Sequence, residues 1–191
     1  FGEKLEPSNV VQFIGILLTN FFHQHCDLKL DNVLFSQSGK GIKIIDFGRS
    51  KLIEGLRSTF IDVAVGENCL MCRAMRKGGR WGVCLDLFGL CACLFSLLLG
   101  KDSKDMVREE EGKFFLKNEI TATARTNEIY EPELWNDFFD KLLNFDSVKD
   151  DYDLVVGGLR DRFGECVEKK KATIEMGFGQ LLKALPKARG S

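Results

Sequence analysis

Between Pro132 and Phe145 the chain reads PELWNDFFDKLLNF, and Leu134, Trp135, Phe138, Phe139, Leu142 and Leu143 recur at helical spacing. One face is apolar and the other charged, so this segment is an amphipathic helix laid on a core. The run LFGLCACLFSLLLG, Leu87–Gly100, is apolar on nearly every face. It falls short of the roughly 20 residues that span a bilayer. It therefore predicts a helix over 86–99 buried inside protein. A third apolar run, Val10–Phe22, follows the start signal Pro7-Ser8-Asn9 and predicts another core helix. No small-residue cleavage site follows it, as a signal peptide would require.

Two short pieces, NVLFS and GIKIID, are joined by a Gly-containing turn at Ser38–Gly41 and predict one hairpin. Residues 48–80 carry no sustained period and read as loop. A charged connection runs from the buried helix to about residue 113. The last forty residues predict a helix near Leu159–Lys170 and a weaker one near Gly179–Leu185. The expected fold class is mainly α with a small β-hairpin, residues 1–170 forming one domain and 171–191 a C-terminal tail. Nothing resembles the five-stranded sheet of a nucleotide-binding half-domain.

The chain has 191 residues, enough for one domain with a sizeable core. Lys and Arg number 27 against 28 Asp and Glu, which gives no reason to expect direct nucleic-acid or membrane partners. Seven cysteines, with no secretory leader ahead of them, suggest free thiols in a reducing compartment. Cys69-Leu-Met-Cys72 has metal-knuckle spacing, but no second such pair and no nearby His completes a tetrad. Cys91 and Cys93 lie in the apolar run, where cysteine acts as a small hydrophobe.

The chemistry concentrates in HQHCDLKLDNVLF, His23–Phe35, and in IIDFGRS, which begins at Ile44. Asp27, Lys29 and Asn32 share one short loop, and Asp46 ends the next strand. A hairpin of this length sets the loop and the strand end side by side. Asp27 can then orient an attacking hydroxyl and accept its proton, while Lys29 offsets charge on a transferred phosphoryl group. Asn32 and Asp46 are hard oxygen donors suited to Mg²⁺. Gly48, after Phe47, permits a sharp turn beyond the ligand. The bland reading is a polar turn in which Asp and Asn cap local backbone.

The order H-x-D-L-K-x-x-N followed by D-F-G resembles the catalytic and metal-binding loops of protein kinases. DLFG, Asp86–Gly89, is similar to the segment that opens that family's hydrophobic central helix. The resemblance implies that Asp86 braces the backbone under His25 and Cys26. Lys two places after Asp27 resembles serine/threonine kinases, and Cys26 stands where an Arg usually pairs with a phosphate on the activation loop.

VGENCLMCRAMRKGGRWGVCLDLFGL, Val65–Leu90, is similar to the corresponding segment of the BUB family of mitotic checkpoint kinases, with Gly66, Cys72, Met75, Trp81, Asp86, Phe88 and Gly89 fitting the pattern. That likeness covers most of residues 8–170. It implies a kinase that uses Mg²⁺ and ATP, acts on chromatin or checkpoint proteins in the nucleus, and meets kinetochore checkpoint partners there. Departures include Ala74 where the family has Glu, Glu67 for Thr, and Arg80, Val83 and Cys84 for Pro, Tyr and Gln. These keep open a second reading, an inactive pseudokinase or scaffold. No glycine-rich loop, strand lysine or partner glutamate lies ahead of the motifs. The sequence thus predicts a kinase-like C-lobe lacking the N-lobe of an α+β family fold, with little turnover by the chain alone.

Overall fold

The structure, a computed structural model, describes residues 23–35, 42–52, 59–60, 70–118, 120, 132–166 and 168–169. The helix expected over Val10–Phe22, the turn at Ser38–Gly41 and the weak helix near Gly179–Leu185 lie outside these residues. The described part is mainly helical with small antiparallel pairs at its margins, the architecture expected of a kinase C-lobe.

The described residues open on β1 (His23–Gln24), make a polar loop, and form a hairpin from β2 (Val33–Phe35) and β3 (Ile42–Ile44) in the register Val33↔Ile44. β4 (Lys51–Leu52) returns to pair with β1, so the hairpin is flanked by a second ladder. A one-turn helix, α1 (Arg73–Arg76), precedes the long α2 (Cys84–Leu99). β5 (Val107–Glu110) and β6 (Lys113–Leu116) form another hairpin, and α3 (Pro132–Leu143) follows. The last element is a helix over 152–166 whose opening, Asp153–Gly157, is a π-helical turn.

α2 is the axis of the core. Residues on all its faces are buried, from Cys84 and Leu85 through Phe95, as its lack of a polar face requires. It stops where Gly100 takes the left-handed conformation (φ 66°) and returns its N–H to Ser96 O. α3 packs against α2 and β6 through the apolar stripe read from sequence. Trp135 and Phe138 meet Phe163 of the last helix with ring centroids 4.8 and 5.5 Å apart. Arg162 of the last helix bonds Asp137 of α3, tying the same two helices at the surface.

Several elements differ from the sequence expectation, beginning with β4 and the one-turn α1, which fall where residues 48–80 read as loop. The last helix begins at residue 152, not 159, because Tyr152, Val156, Leu159 and Phe163 form a buried stripe. That burial outweighs the roughly 1 kcal/mol that each of Gly157 and Gly158 costs a helix. The charged connection after α2 holds the β5–β6 hairpin. Its turn residues Glu111 (φ 50°) and Gly112 (φ 74°) are both left-handed, as two-residue hairpins require. Phe114 is its buried anchor.

Candidate active site

The loop from His25 to Asn32 is gripped from below by α2. Asp86 in the first turn of α2 accepts the backbone N–H of His25 at 2.7 Å and of Cys26 at 2.8 Å. Cys26 is left-handed (φ 62°), a conformation that costs a non-glycine residue on the order of 1 kcal/mol. The Asp86 bonds hold it there. Asp86 keeps some surface area, but its oxygens are turned inward onto the loop. Burial consequently raises its carboxyl above the ordinary value, against the pull of the two N–H donors and of His25. The Cys26 thiol points inward, donating to Gln24 O at 3.6 Å. No cation stands at that position to receive a phosphate.

Asp27 is the centre of the polar cluster. Its carboxylate lies 3.0 Å from Lys29 Nζ on one oxygen and 3.8 Å from Arg49 on the other. Its side chain is 10% exposed whereas the two cations are 40% and 45% exposed, so the anion is recessed and the cations reach in from solvent. Asn32, buried at the end of the turn Leu30–Asn32, donates Nδ2 to Asp27 O at 2.8 Å and approaches Asp27 Oδ2 at 3.5 Å. Asp27, Lys29 and Asn32 are thus gathered at one place. Arg49 is an addition that motif spacing did not single out.

The strand end is fastened to the same loop. Ile45 N donates to Asn32 O at 3.0 Å, and Ile45 O accepts from His25 Nε2 at 2.9 Å. Nδ1 of that ring accepts the Asp27 N–H at 3.3 Å. The imidazole therefore bridges both halves of the cluster, with Phe47 packed on it at 4.9 Å. Asp46 follows Ile45 directly. It is exposed and left-handed (φ 63°, ψ 67°), and it accepts the Gly48 N–H at 3.4 Å. The turn expected from Gly48 is thus made by Asp46 itself. Gly48 instead keeps space clear, since a Cβ there would meet Asp46 Oδ1 at 3.2 Å.

Asn32 and Asp46 are oxygen donors of the type a magnesium ion takes. Nδ2 of Asn32 is committed to Asp27, which leaves its amide oxygen for a cation, and Asp46 adds an exposed carboxylate. Mg²⁺ is held by one or two such donors together with water and phosphate oxygens. Among the described residues no three or more His, Cys, Asp or Glu gather as a self-sufficient metal cage.

Beyond β4, the described residues Thr59 and Phe60 are held by Arg80 and Trp81. Phe60 and Trp81 exchange backbone bonds at 2.7 and 3.0 Å. Lys51 lies over both rings, and Arg80 donates to Thr59 Oγ1 at 2.8 Å. Ala74 leaves α1 without a carboxylate, and cations hold it instead. Arg73 donates to Asn144 O at 3.0 Å, and Lys77 to Gly112 O at 2.8 Å. Asn144 in turn brackets Phe114 of β6, accepting its N–H and donating to its C=O, both at 2.9 Å. Sequence reasoning missed Arg73, Lys77 and Asn144, because partners 30 to 71 residues away leave no local pattern.

The family model "Protein kinase domain" matches residues 10–151, and the chain belongs to that family. Among curated proteins it is 27% identical over 157 residues to the spindle assembly checkpoint serine/threonine-protein kinase bub1 of Schizosaccharomyces pombe, a match covering 70% of this chain and 15% of that protein. A putative dual specificity tyrosine-phosphorylation-regulated kinase 3 homolog of Drosophila melanogaster is 36% identical over 77 residues, 40% of this chain and 9% of that one. Among solved structures the BubR1 kinase domain superposes with a TM-score of 0.68 at 22% identity, covering 90% of this chain and 52% of that domain. The chain is thus similar to bub1 in sequence and to the BubR1 kinase domain in fold, and it spans a small part of the curated relatives' length.

Proposed function

We propose that the chain carries the phosphoryl-transfer machinery of a serine/threonine protein kinase acting in spindle assembly checkpoint signalling. The reading is supported by one observation above the others: Asp27, Lys29 and Asn32 are gathered beside the strand end that delivers Asp46. In it, Asp27 orients a substrate serine or threonine hydroxyl and accepts its proton. The flanking cations, Lys29 first, offset charge on the phosphoryl oxygens in transit. Asn32 and Asp46 hold Mg²⁺, which neutralises charge on the ATP phosphates when bound. His25, Gly48 and Asp86 keep these groups in register. The resemblance to the BUB family extends the reading to chromatin or checkpoint proteins as substrates and to the kinetochore in the nucleus as the place of action, in keeping with a relative named for the spindle assembly checkpoint. Cys26, standing where an arginine usually receives an activation-loop phosphate, favours a kinase that does not depend on phosphorylation of that loop.

The test is transfer of labelled γ-phosphate from ATP to a protein substrate, by the chain alone and by a longer form supplying a glycine-rich hairpin and strand lysine ahead of it. Asp27→Asn is expected to lower transfer by at least 10²-fold, since a positioned proton acceptor contributes about 10²–10⁴-fold, while Mg-ATP binding is kept. Unchanged transfer would remove Asp27 from this role. The second reading, a scaffold that binds checkpoint partners, is favoured by Ala74 in place of Glu. It takes over if the longer form binds nucleotide yet transfers nothing.

A further inference from the structure

The sulfurs of Cys72 and Cys84 lie 3.4 Å apart in the core, 12 residues apart in sequence, and the phosphoryl-transfer reading uses neither. Cys72 caps α1 at the end of the segment anchored through Trp81, and Cys84 opens α2. The other buried thiols are differently placed. Cys26 donates to Gln24 O, and burial pushes Cys93 up to about 12 and Cys91 also well above its ordinary value. Within the pair the two members are unequal. Hydrogen bonding with Cys72 and with Ser147, whose oxygen also accepts the Cys84 N–H at 3.0 Å, lowers Cys84 to about 6 despite burial. Its place in the first turn of α2 acts in the same direction. The same hydrogen bond, together with burial, raises Cys72. Cys84 is the nucleophile and Cys72 the resolving thiol.

We infer that Cys72 and Cys84 form a reversible oxidation site that hydroperoxide converts to a disulfide tying α1 to α2. The Cys84 thiolate attacks one peroxide oxygen and the O–O bond breaks. The departing hydroxide takes up the proton that Cys84 released and becomes water. Cys72 sulfur then attacks the Cys84 sulfenic sulfur, and its proton leaves with the sulfenic hydroxyl as a second water. Two thiols have lost two electrons and one peroxide has gained them. Both cysteines are 2% exposed, so peroxide enters during local opening of the one-turn α1.

The test treats the full chain with hydrogen peroxide and reads intact mass and fragmentation of linked peptides. Loss of two hydrogens, restored by dithiothreitol, with fragments placing the link between Cys72 and Cys84, is the expected result. Cys72→Ser and Cys84→Ser each abolish the loss, whereas Cys69→Ser and Cys166→Ser keep it. A link from Cys72 to Cys69, or two-hydrogen loss persisting in Cys72→Ser, would overturn the site. So would oxidation of Cys166 with no link at all. The wild-type fragmentation decides the question by itself if a serine variant fails to fold.

Discussion

Gly89 is the position where one methyl group tests how the loop is seated. A Cβ built there lies 2.6 Å from Leu28 O, 2.8 Å from Leu28 Cβ and 3.3 Å from Leu28 C. Ordinary C···O contact needs about 3.3 Å, so Gly89→Ala forces a separation of roughly 0.7 Å. Leu28 is itself buried and the nearest atom is backbone, so no flexible side-chain end can swing aside. Overpacking of this kind costs about 1–3 kcal/mol. Alanine returns up to about 1 kcal/mol of helix propensity. The net expectation is a loss of about 0–3 kcal/mol. Gly164, also helical, has nothing within 4 Å of its own built Cβ. Gly164→Ala should therefore gain about 0.5–1 kcal/mol. The difference between the two variants cancels propensity and isolates the overlap, about 1–3 kcal/mol. Thermal unfolding of the full chain reads it as a gap of roughly 2–4 °C per kcal/mol for a chain of this size. If Gly89→Ala is stabilised as much as Gly164→Ala, Leu28 does not lie on α2 and the seating described here is wrong.

Further outcomes follow from partners the structure shows. Gln24 is buried with neither side-chain amide atom bonded, so Gln24→Met should raise stability by about 1–2 kcal/mol in denaturant unfolding; a loss would mean that the amide has a partner. Asp86→Asn keeps one acceptor but turns an N–H₂ towards a second loop N–H, and should cost about 1–3 kcal/mol. Because burial raises the Asp86 carboxyl, the native state holds the proton more tightly than the unfolded chain. Its contribution is complete below the unfolded value of about 3.8 and is lost as pH rises through the native value. The gap between wild type and Asp86→Asn in a pH series of unfolding curves should therefore widen as pH falls, and a narrowing gap would reverse the assigned direction. Asn144→Ala strands the N–H and C=O of Phe114 and should cost about 1–3 kcal/mol, with amide exchange accelerated first in β6. Unaltered exchange there would show that α3 does not hold that strand.

How far these features could be read in advance depended on whether their cause was local. α3 was legible because Leu134 to Leu143 repeat the helical period, and α2 because it has no polar face. The β2–β3 hairpin showed as two short apolar runs around a glycine turn. The gathering of Asp27, Lys29 and Asn32 also has a local cause, since all three fall within six residues. The β1–β4 pairing had none, because two-residue strands carry no period and His23 finds Leu52 only through the returning chain. β5 and β6 were hidden because VREEEGK reads as a charged loop. The burial of Phe114 against Phe88, at 5.8 Å, belongs to the partner element and not to the strand.

The position of Asp27 is dictated mostly by residues that are not in its loop. Asp86 and Gly89 are three apart on α2 and so share one face of the helix. The first bonds the N–H groups of residues 25 and 26, and the second lets the backbone of residue 28 lie against the helix. Asp27 sits between these two grips. A loop held at only one of them could rotate about it; held at both, over one helical turn, it has a fixed height and direction. α2 can serve as that reference because it is buried on every face and has no free side along which to shift. The greasy helix and the polar loop are therefore one device: burial fixes the helix, the helix fixes two points of the loop, and the carboxylate between them inherits the rigidity of the core.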